Sequence, residues 1–94
     1  MIVYISGKIT GEDNYIKKFA KAEKKLTDLG YTVLNPTWIK VELSYEQYMR
    51  IDVAMLIEAD AICMLDNYED SKGALWELKL AEKMGKFIMY EKEL

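Results

Sequence analysis

The pattern of hydrophobic and polar positions along the chain predicts four strands and three helices. Short apolar runs rich in β-branched and aromatic side chains are typical of buried strands. Longer segments, in which apolar residues recur every three or four positions, are typical of helices that bury one face. The predicted strands cover residues 2–6, 31–34, 61–65 and 87–90, and the predicted helices cover residues 14–29, 44–58 and 73–84.

The order of these elements is βαβαβαβ, and right-handed crossovers turn such an order into a parallel sheet covered by helices. We therefore predict a single α/β domain over residues 1–94. Its expected form is a Rossmann-like, three-layer sandwich with a four-stranded parallel sheet in the flavodoxin-like order 2-1-3-4. Ligands bind such sheets beyond the carboxyl ends of the strands, where the order reverses. The loops after Ser6 and Leu65 are the places where we expect a site.

Composition and charge narrow the possible functions. The chain has 94 residues, of which 51% are hydrophobic and 31% charged, as in a soluble globular domain. Its net charge is −3, so we expect no nucleic-acid polymer as a partner, because such a polymer requires a basic face. The absence of histidine excludes Ser-His-Asp and Cys-His catalysis. With no apolar run near the roughly 20 residues of a membrane span, and with Cys63 alone in an apolar run, we expect a cytoplasmic protein without membrane contact.

Two carboxylates occupy helical positions where apolar residues belong. Asp52 has apolar or aromatic neighbours three and four positions away on both sides, and Glu77 has alanines at positions 74 and 81. Removing an unpaired carboxylate from water costs several kcal/mol as a rough scale, so each either has a partner in the fold or faces a pocket. The alternatives to a site are a structural Asp52 and a Glu77 that only complements the helix dipole.

Two short segments combine glycine with hydroxyl side chains near the same edge of the predicted sheet. Residues 6–11 follow the first strand, and residues 70–73 precede the third helix. Backbone N–H groups and side chains in such segments can surround a phosphate. Neither is a Walker or dinucleotide fingerprint, and an ordinary βα turn is the alternative. The candidate phosphate-binding residues are Ser6, Gly7, Lys8, Ile9, Gly11, Ser71 and Gly73.

Tyr4 adds a phenol that can hydrogen-bond a carboxylate in this crevice; a simple core tyrosine is the alternative. Taken together, the residues resemble the nucleoside 2-deoxyribosyltransferase-like proteins, which include deoxynucleoside 5′-monophosphate N-glycosidases. The run Tyr4-Ile5-Ser6-Gly7-Lys8-Ile9-Thr10-Gly11 is similar to the opening Tyr-x-x-Gly-x-Ile-x-Gly of that family. The run Ser71-Lys72-Gly73-Ala74-Leu75-Trp76-Glu77 is similar to its Ser-x-Gly-x-x-x-Glu motif, and Asp52 resembles its base-contacting Asp. The resemblance covers nearly the whole chain and is strongest to short phage and bacterial members.

The resemblance implies that Glu77 attacks the anomeric carbon of a 2-deoxyribosyl group, that Asp52 aids departure of the base and that Tyr4 orients Glu77. Ser71 and the loop over residues 7–11 would then favour a 5′-phosphate. From their loop positions alone, and not from the resemblance, we expect Trp38 or Tyr68 to cover the base. The implied partners are a small-molecule nucleoside or nucleotide and, as a homodimer or higher homo-oligomer, further copies of the chain. No cofactor is implied, and the spacing of the carboxylates predicts no metal site.

Two other interpretations of the same crevice stay open. It can hold a nucleotide or a nucleotide-derived signal without turnover, as a binding module does. It can also be purely structural, with the aromatic side chains forming a surface between two copies of the chain.

Overall fold

The computed structural model covers residues 1–94, and its helices and strands follow the predicted order. The elements are β1 (Ile2–Ser6), α1 (Tyr15–Asp28), β2 (Thr32–Leu34), α2 (Tyr45–Glu58), β3 (Ala61–Met64), α3 (Lys72–Lys83) and β4 (Phe87–Tyr90). Each predicted boundary lies within one residue of the observed one. Three short 3-10 helices were not predicted: Pro36–Trp38, Tyr68–Asp70 and Glu91–Glu93. None of the helices combines the length and apolar composition that crossing a bilayer requires.

The sheet is parallel throughout and has the order β2-β1-β3-β4, so the predicted topology is confirmed. β1 lies in the centre, where Tyr4 pairs with Leu34 of β2 on one side and with Ile62 of β3 on the other. The chain leaves β1 towards β2 and later returns to place β3 on the opposite side. The carboxyl ends of β1 and β3 therefore flank the point where the strand order reverses.

The two faces of the sheet have different partners. Val3 and Ile5 of β1 pack in an apolar cluster with the buried residues of α1: Phe19, Ala22 and Leu26. Tyr4 faces the other way and packs with residues of α2 and α3: Leu56, Ala74 and Ala81. Cys63 lies in the first cluster, where burial raises the pKa of its thiol to about 12. The prediction that Cys63 is a buried small hydrophobe is confirmed.

The start of α2 has the predicted capping box. The Ser44 hydroxyl accepts a hydrogen bond from the Gln47 N–H at 3.2 Å, and the Gln47 side chain accepts one from the Ser44 N–H at 2.9 Å. Such a cap contributes about 1 kcal/mol to the stability of a helix. The buried residues of the helix that begins at this cap are Asp52 and Leu56.

Gly7 follows β1 directly and is pressed against the side chain of Leu65. A Cβ at this position would lie 2.7 Å from Leu65 Cδ1, and Leu65 is only 2% exposed, so the clash cannot be relieved by a simple rotation towards solvent. We expect Gly7→Ala to lower the free energy of unfolding by about 1–3 kcal/mol in urea denaturation. Gly73→Ala is the matched control, because the nearest atom to its Cβ would be 3.8 Å away. Equal stability of Gly7→Ala and the wild-type protein would contradict this prediction.

Candidate active site

A cavity of about 710 Å³ opens at the carboxyl edge of the sheet, within the range of small-molecule sites. It lies where the strand order predicted a site, next to the loop after β1 and the segment that leads into α3. Tyr15 of α1 lines the cavity on one side, α2 forms another wall, and the residues after β2 form a third. Its lining residues are Ile9, Thr10, Tyr15, Pro36, Thr37, Ile39, Tyr45, Tyr48, Met49, Asp52, Asp70, Ser71, Lys72, Gly73 and Glu77.

Glu77 reaches this cavity from α3 and is only 5% exposed. Both of its carboxylate oxygens are hydrogen-bonded by side chains of β1. The Tyr4 hydroxyl donates to Oε2 at 2.8 Å, and the Ser6 hydroxyl donates to Oε1 at 2.6 Å. Burial raises the pKa of Glu77, whereas the hydrogen bonds from Ser6 and Tyr4 lower it. Burial has the larger effect, so the pKa of Glu77 is raised overall. Glu77 is the sixth residue of α3 and lies beyond the first turn, where the helix dipole acts most strongly.

Asp52 reaches the same cavity from α2, and its environment differs from that of Glu77. It is 9% exposed, and its Oδ1 atom is buried without a hydrogen-bond partner. Burial and, to a lesser degree, the charge of Glu77 raise the pKa of Asp52 to about 7. The group is therefore partly protonated near neutral pH and can donate or accept a proton.

Tyr4 is the third candidate catalytic residue, and its hydroxyl contacts Glu77 from β1. Burial, followed by the charges of Glu77 and Asp52, raises the pKa of its phenol well above the ordinary value. The phenol consequently stays protonated near neutral pH and is available as a hydrogen-bond donor to Glu77. The structure thus brings Tyr4, Asp52 and Glu77 together at one site, although they come from three different elements.

Three of the seven residues predicted to bind phosphate line the cavity: Ile9, Ser71 and Gly73. Ser71 is the N-cap of α3, and its hydroxyl accepts a hydrogen bond from the Ala74 N–H at 3.1 Å. The first N–H groups of a helix have no acceptor within the helix, and they favour an anion. Gly73 has no side chain to cover them, and the nearest atom to a Cβ there would be the Tyr45 hydroxyl oxygen at 3.8 Å, so this end of the cavity can accept a negatively charged group.

The other four of these residues lie outside the cavity lining. The Ser6 hydroxyl is bonded to Glu77, and Gly7 packs on a leucine. The Lys8 N–H donates to the side chain of Asn67 at 3.1 Å, and Gly11 has a φ of +80° that only a glycine adopts readily. These contacts shape the loop, and a direct contact of the four residues with phosphate stays a prediction.

The aromatic residues at the site differ from those expected. Trp38 donates its indole N–H to Glu23 at 3.1 Å, and Tyr68 packs against Tyr90, so neither lines the cavity. The expectation that one of them covers the base is therefore wrong. The aromatic side chains that do line the cavity are Tyr15, Tyr45 and Tyr48. The spacing of Tyr45 and Tyr48 relative to Asp52 places all three near one face of α2, and this signal was available in the sequence.

Comparison with known proteins finds a matching family and similar structures over nearly the whole chain. Residues 1–90 match the family described as domain of unknown function (DUF4406). The 2-deoxyribosyltransferase of the psychrotolerant bacterium Bacillus psychrosaccharolyticus, described as a biocatalyst for the synthesis of antiviral and antitumoral nucleosides, has a similar structure with a TM-score of 0.76. The two chains are 31% identical, over 96% of this chain and 71% of the other.

A second structure, the 2-deoxyribosyltransferase of Leishmania mexicana, has a TM-score of 0.75 and 20% identity, over 95% of this chain and 62% of that one. This likeness concerns the fold alone. No curated protein matches the chain in sequence.

The match over residues 1–90 includes β1, α2 and α3, the elements that carry Tyr4, Asp52 and Glu77. The bacterial enzyme shares the fold as well as nearly a third of the sequence. The chain therefore belongs to the DUF4406 family and, with it, to the nucleoside 2-deoxyribosyltransferase-like proteins.

Proposed function

We propose that the protein cleaves or transfers the N-glycosidic bond of a 2′-deoxynucleoside or its 5′-monophosphate, with Glu77 as the nucleophile. The observation that carries the proposal is the pair of unlike carboxylates in one cavity. Glu77 has a hydrogen-bond donor on each oxygen, whereas Asp52 has a buried oxygen with no partner and a pKa of about 7. The likeness to the Bacillus psychrosaccharolyticus 2-deoxyribosyltransferase supports the same chemistry.

In the first step, an oxygen of the Glu77 carboxylate attacks the anomeric carbon of the deoxyribose. The bond between this carbon and the base nitrogen breaks, and its electron pair stays with the base. The Asp52 carboxyl group gives its proton to the departing base, so that the base leaves neutral. A covalent ester between the sugar and Glu77 remains, as in retaining glycosidases.

In the second step, the Asp52 carboxylate removes a proton from the incoming nucleophile. If water attacks the anomeric carbon, the ester bond to Glu77 breaks and free deoxyribose or its phosphate is released. If the N–H group of another base attacks, a new nucleoside forms. The same residues thus serve a hydrolase and a transferase, and access of water to the ester determines the ratio.

The remaining residues of the cavity have roles in substrate binding. The N-terminal end of α3 with Ser71 and Gly73, together with the loop over residues 7–11, binds a 5′-phosphate when the substrate carries one. Tyr45 and Tyr48 supply aromatic faces for the base.

Assembly and location are part of the proposal as well. Trp76 is 49% exposed and Phe87 is 68% exposed, and such side chains supply apolar area for a homodimer or higher homo-oligomer. The lone, buried Cys63 thiol suits the reducing cytoplasm.

Incubation with the deoxynucleosides and their 5′-monophosphates, followed by chromatography of the released base, tests the proposed function. Glu77→Ala protein serves as the blank for contaminating enzymes. We expect base release by the wild-type protein only, and exchange in the presence of a second free base identifies a transferase. Thermal stabilisation by a nucleotide without release of base from any substrate would instead establish a binding module.

A further inference from the structure

Ser6 makes a contact that its place in the glycine-rich loop motif does not explain. It is 1% exposed, and its hydroxyl donates to the Glu77 oxygen that Tyr4 does not contact. Ser6 and Tyr4 are two positions apart on β1, so their side chains project from the same face of the sheet. Two donors on two oxygens fix the plane of the carboxylate, because rotation of the group would break both hydrogen bonds.

This contact also affects which of the two carboxylates holds a proton. Two carboxylates that share a site repel each other, so one of them stays protonated over a range of pH. Hydrogen-bond donors stabilise a charged carboxylate relative to a neutral one. Glu77 has donors on both oxygens, whereas Asp52 Oδ1 has none. This difference in hydrogen bonding favours the proton on Asp52 and the charge on Glu77.

We infer that Ser6 is a positioning residue, whose hydroxyl holds the Glu77 carboxylate as an oriented anion and leaves the proton to Asp52. The catalytic consequence rests on the proposed function, since a nucleophile must be charged and a proton donor neutral. The backbone of Ser6 is anchored too, because its carbonyl accepts a hydrogen bond from the Leu65 N–H at 2.8 Å. The hydroxyl is thus presented to Glu77 from a strand that cannot shift independently.

Ser6 allows a cleaner test than Tyr4, because Ser6→Ala removes a donor with almost no loss of packed volume. Carbon-13 NMR of the glutamate side-chain carboxyls, with the Glu77 signal assigned from its loss in Glu77→Gln, follows the titration in substrate-free protein. We expect Ser6→Ala to raise the pKa of Glu77 by about one unit. Ser6→Thr, which keeps the hydroxyl, restores the wild-type titration, and Ser6→Cys, a weaker donor of similar size, gives an intermediate value. An unchanged Glu77 titration in folded Ser6→Ala protein overturns the inference.

Kinetics provide a second, independent readout. Since the rate requires ionised Glu77, the acid limb of the pH profile of kcat shifts to higher pH in Ser6→Ala. The shift equals the rise in the pKa of Glu77, while KM stays the same. A rise in KM for 5′-monophosphates with the acid limb in place shows that Ser6 contacts the phosphate instead, and this overturns the inference. If the wild-type protein releases no base, the proposed function fails, and the NMR titration still decides whether Ser6 holds Glu77 as the anion.

Discussion

Glu77→Gln is expected to reduce base release from the best substrate on the order of 10⁴-fold or more, with little change in affinity. The amide has nearly the shape of the carboxylate, but it has no negative charge to attack the anomeric carbon and cannot form the ester intermediate. Chromatography of released base measures the loss of turnover. Titration calorimetry with the same substrate measures its binding to the variant. The titration can reach full occupancy because the variant does not consume the substrate.

Glu91→Gln is the matched control for this experiment. Glu91 is another buried glutamate, 8% exposed, but it lies beyond β4 and outside the cavity, with its carboxylate 3.6 Å from Lys25 Nζ. Its replacement makes the same chemical change without touching the site, so activity stays near the wild-type level. A Glu77→Gln protein that retains turnover within tenfold of the wild-type rate would remove Glu77 from the role of nucleophile.

Asp52→Asn is expected to raise the free energy of unfolding by about 2 kcal/mol at pH 8, with little effect near pH 4. The pKa of Asp52 is raised by burial to about 7 in the folded protein, against 3.8 for a free aspartate. Between these values the unfolded chain binds fewer protons than the folded one, so stability falls as the pH rises from about 4 to 7. Asparagine does not titrate, so the stability of the variant lacks this decrease between pH 4 and 7.

Urea denaturation between pH 4 and pH 9 measures the effect of Asp52→Asn on stability. Asp66→Asn makes the same change on an exposed side chain after β3, and it should follow the wild-type curve. Parallel curves for the wild-type protein and Asp52→Asn would show that Asp52 carries no such cost of ionisation.

The same variant also tests Asp52 as a proton donor. We expect a loss of base release by about 10²- to 10³-fold for ordinary substrates, in the range of general acid catalysis. A purine that already carries a positive charge through N7-methylation leaves without taking up a proton, so its release should fall far less. Equal losses for both kinds of substrate would exclude proton donation by Asp52.

Much of the fold could be predicted because the chain follows simple periodic rules. Apolar runs such as residues 61–65 have a length and composition that are typical of a buried strand between two layers. Asp52 and Glu77 could be recognised for the opposite reason, since each interrupts an apolar helical stripe at a cost that requires an explanation.

Contacts between distant parts of the chain could not be predicted in this way. Ser6 and Glu77 are 71 positions apart, and the hydroxyl reaches the carboxylate only because α3 packs across β1. The sequence motif around Ser6 indicated phosphate binding, and nothing local favoured a carboxylate partner. Trp38 was expected beside the base because of its loop position, which does not show where a side chain points. In the fold its indole N–H donates a hydrogen bond to Glu23.

The alternation of side chains along β1 has a consequence for how the protein folds. Val3 and Ile5 lie in the apolar layer beneath α1, while Tyr4 and Ser6 face Glu77. A slip of β1 by one residue would bury two hydroxyls in that apolar layer and leave a buried carboxylate without donors, at a cost of several kcal/mol on a rough scale. The side chains of β1 thereby favour the native register of the sheet, so that accurate folding and a competent site depend on the same few residues.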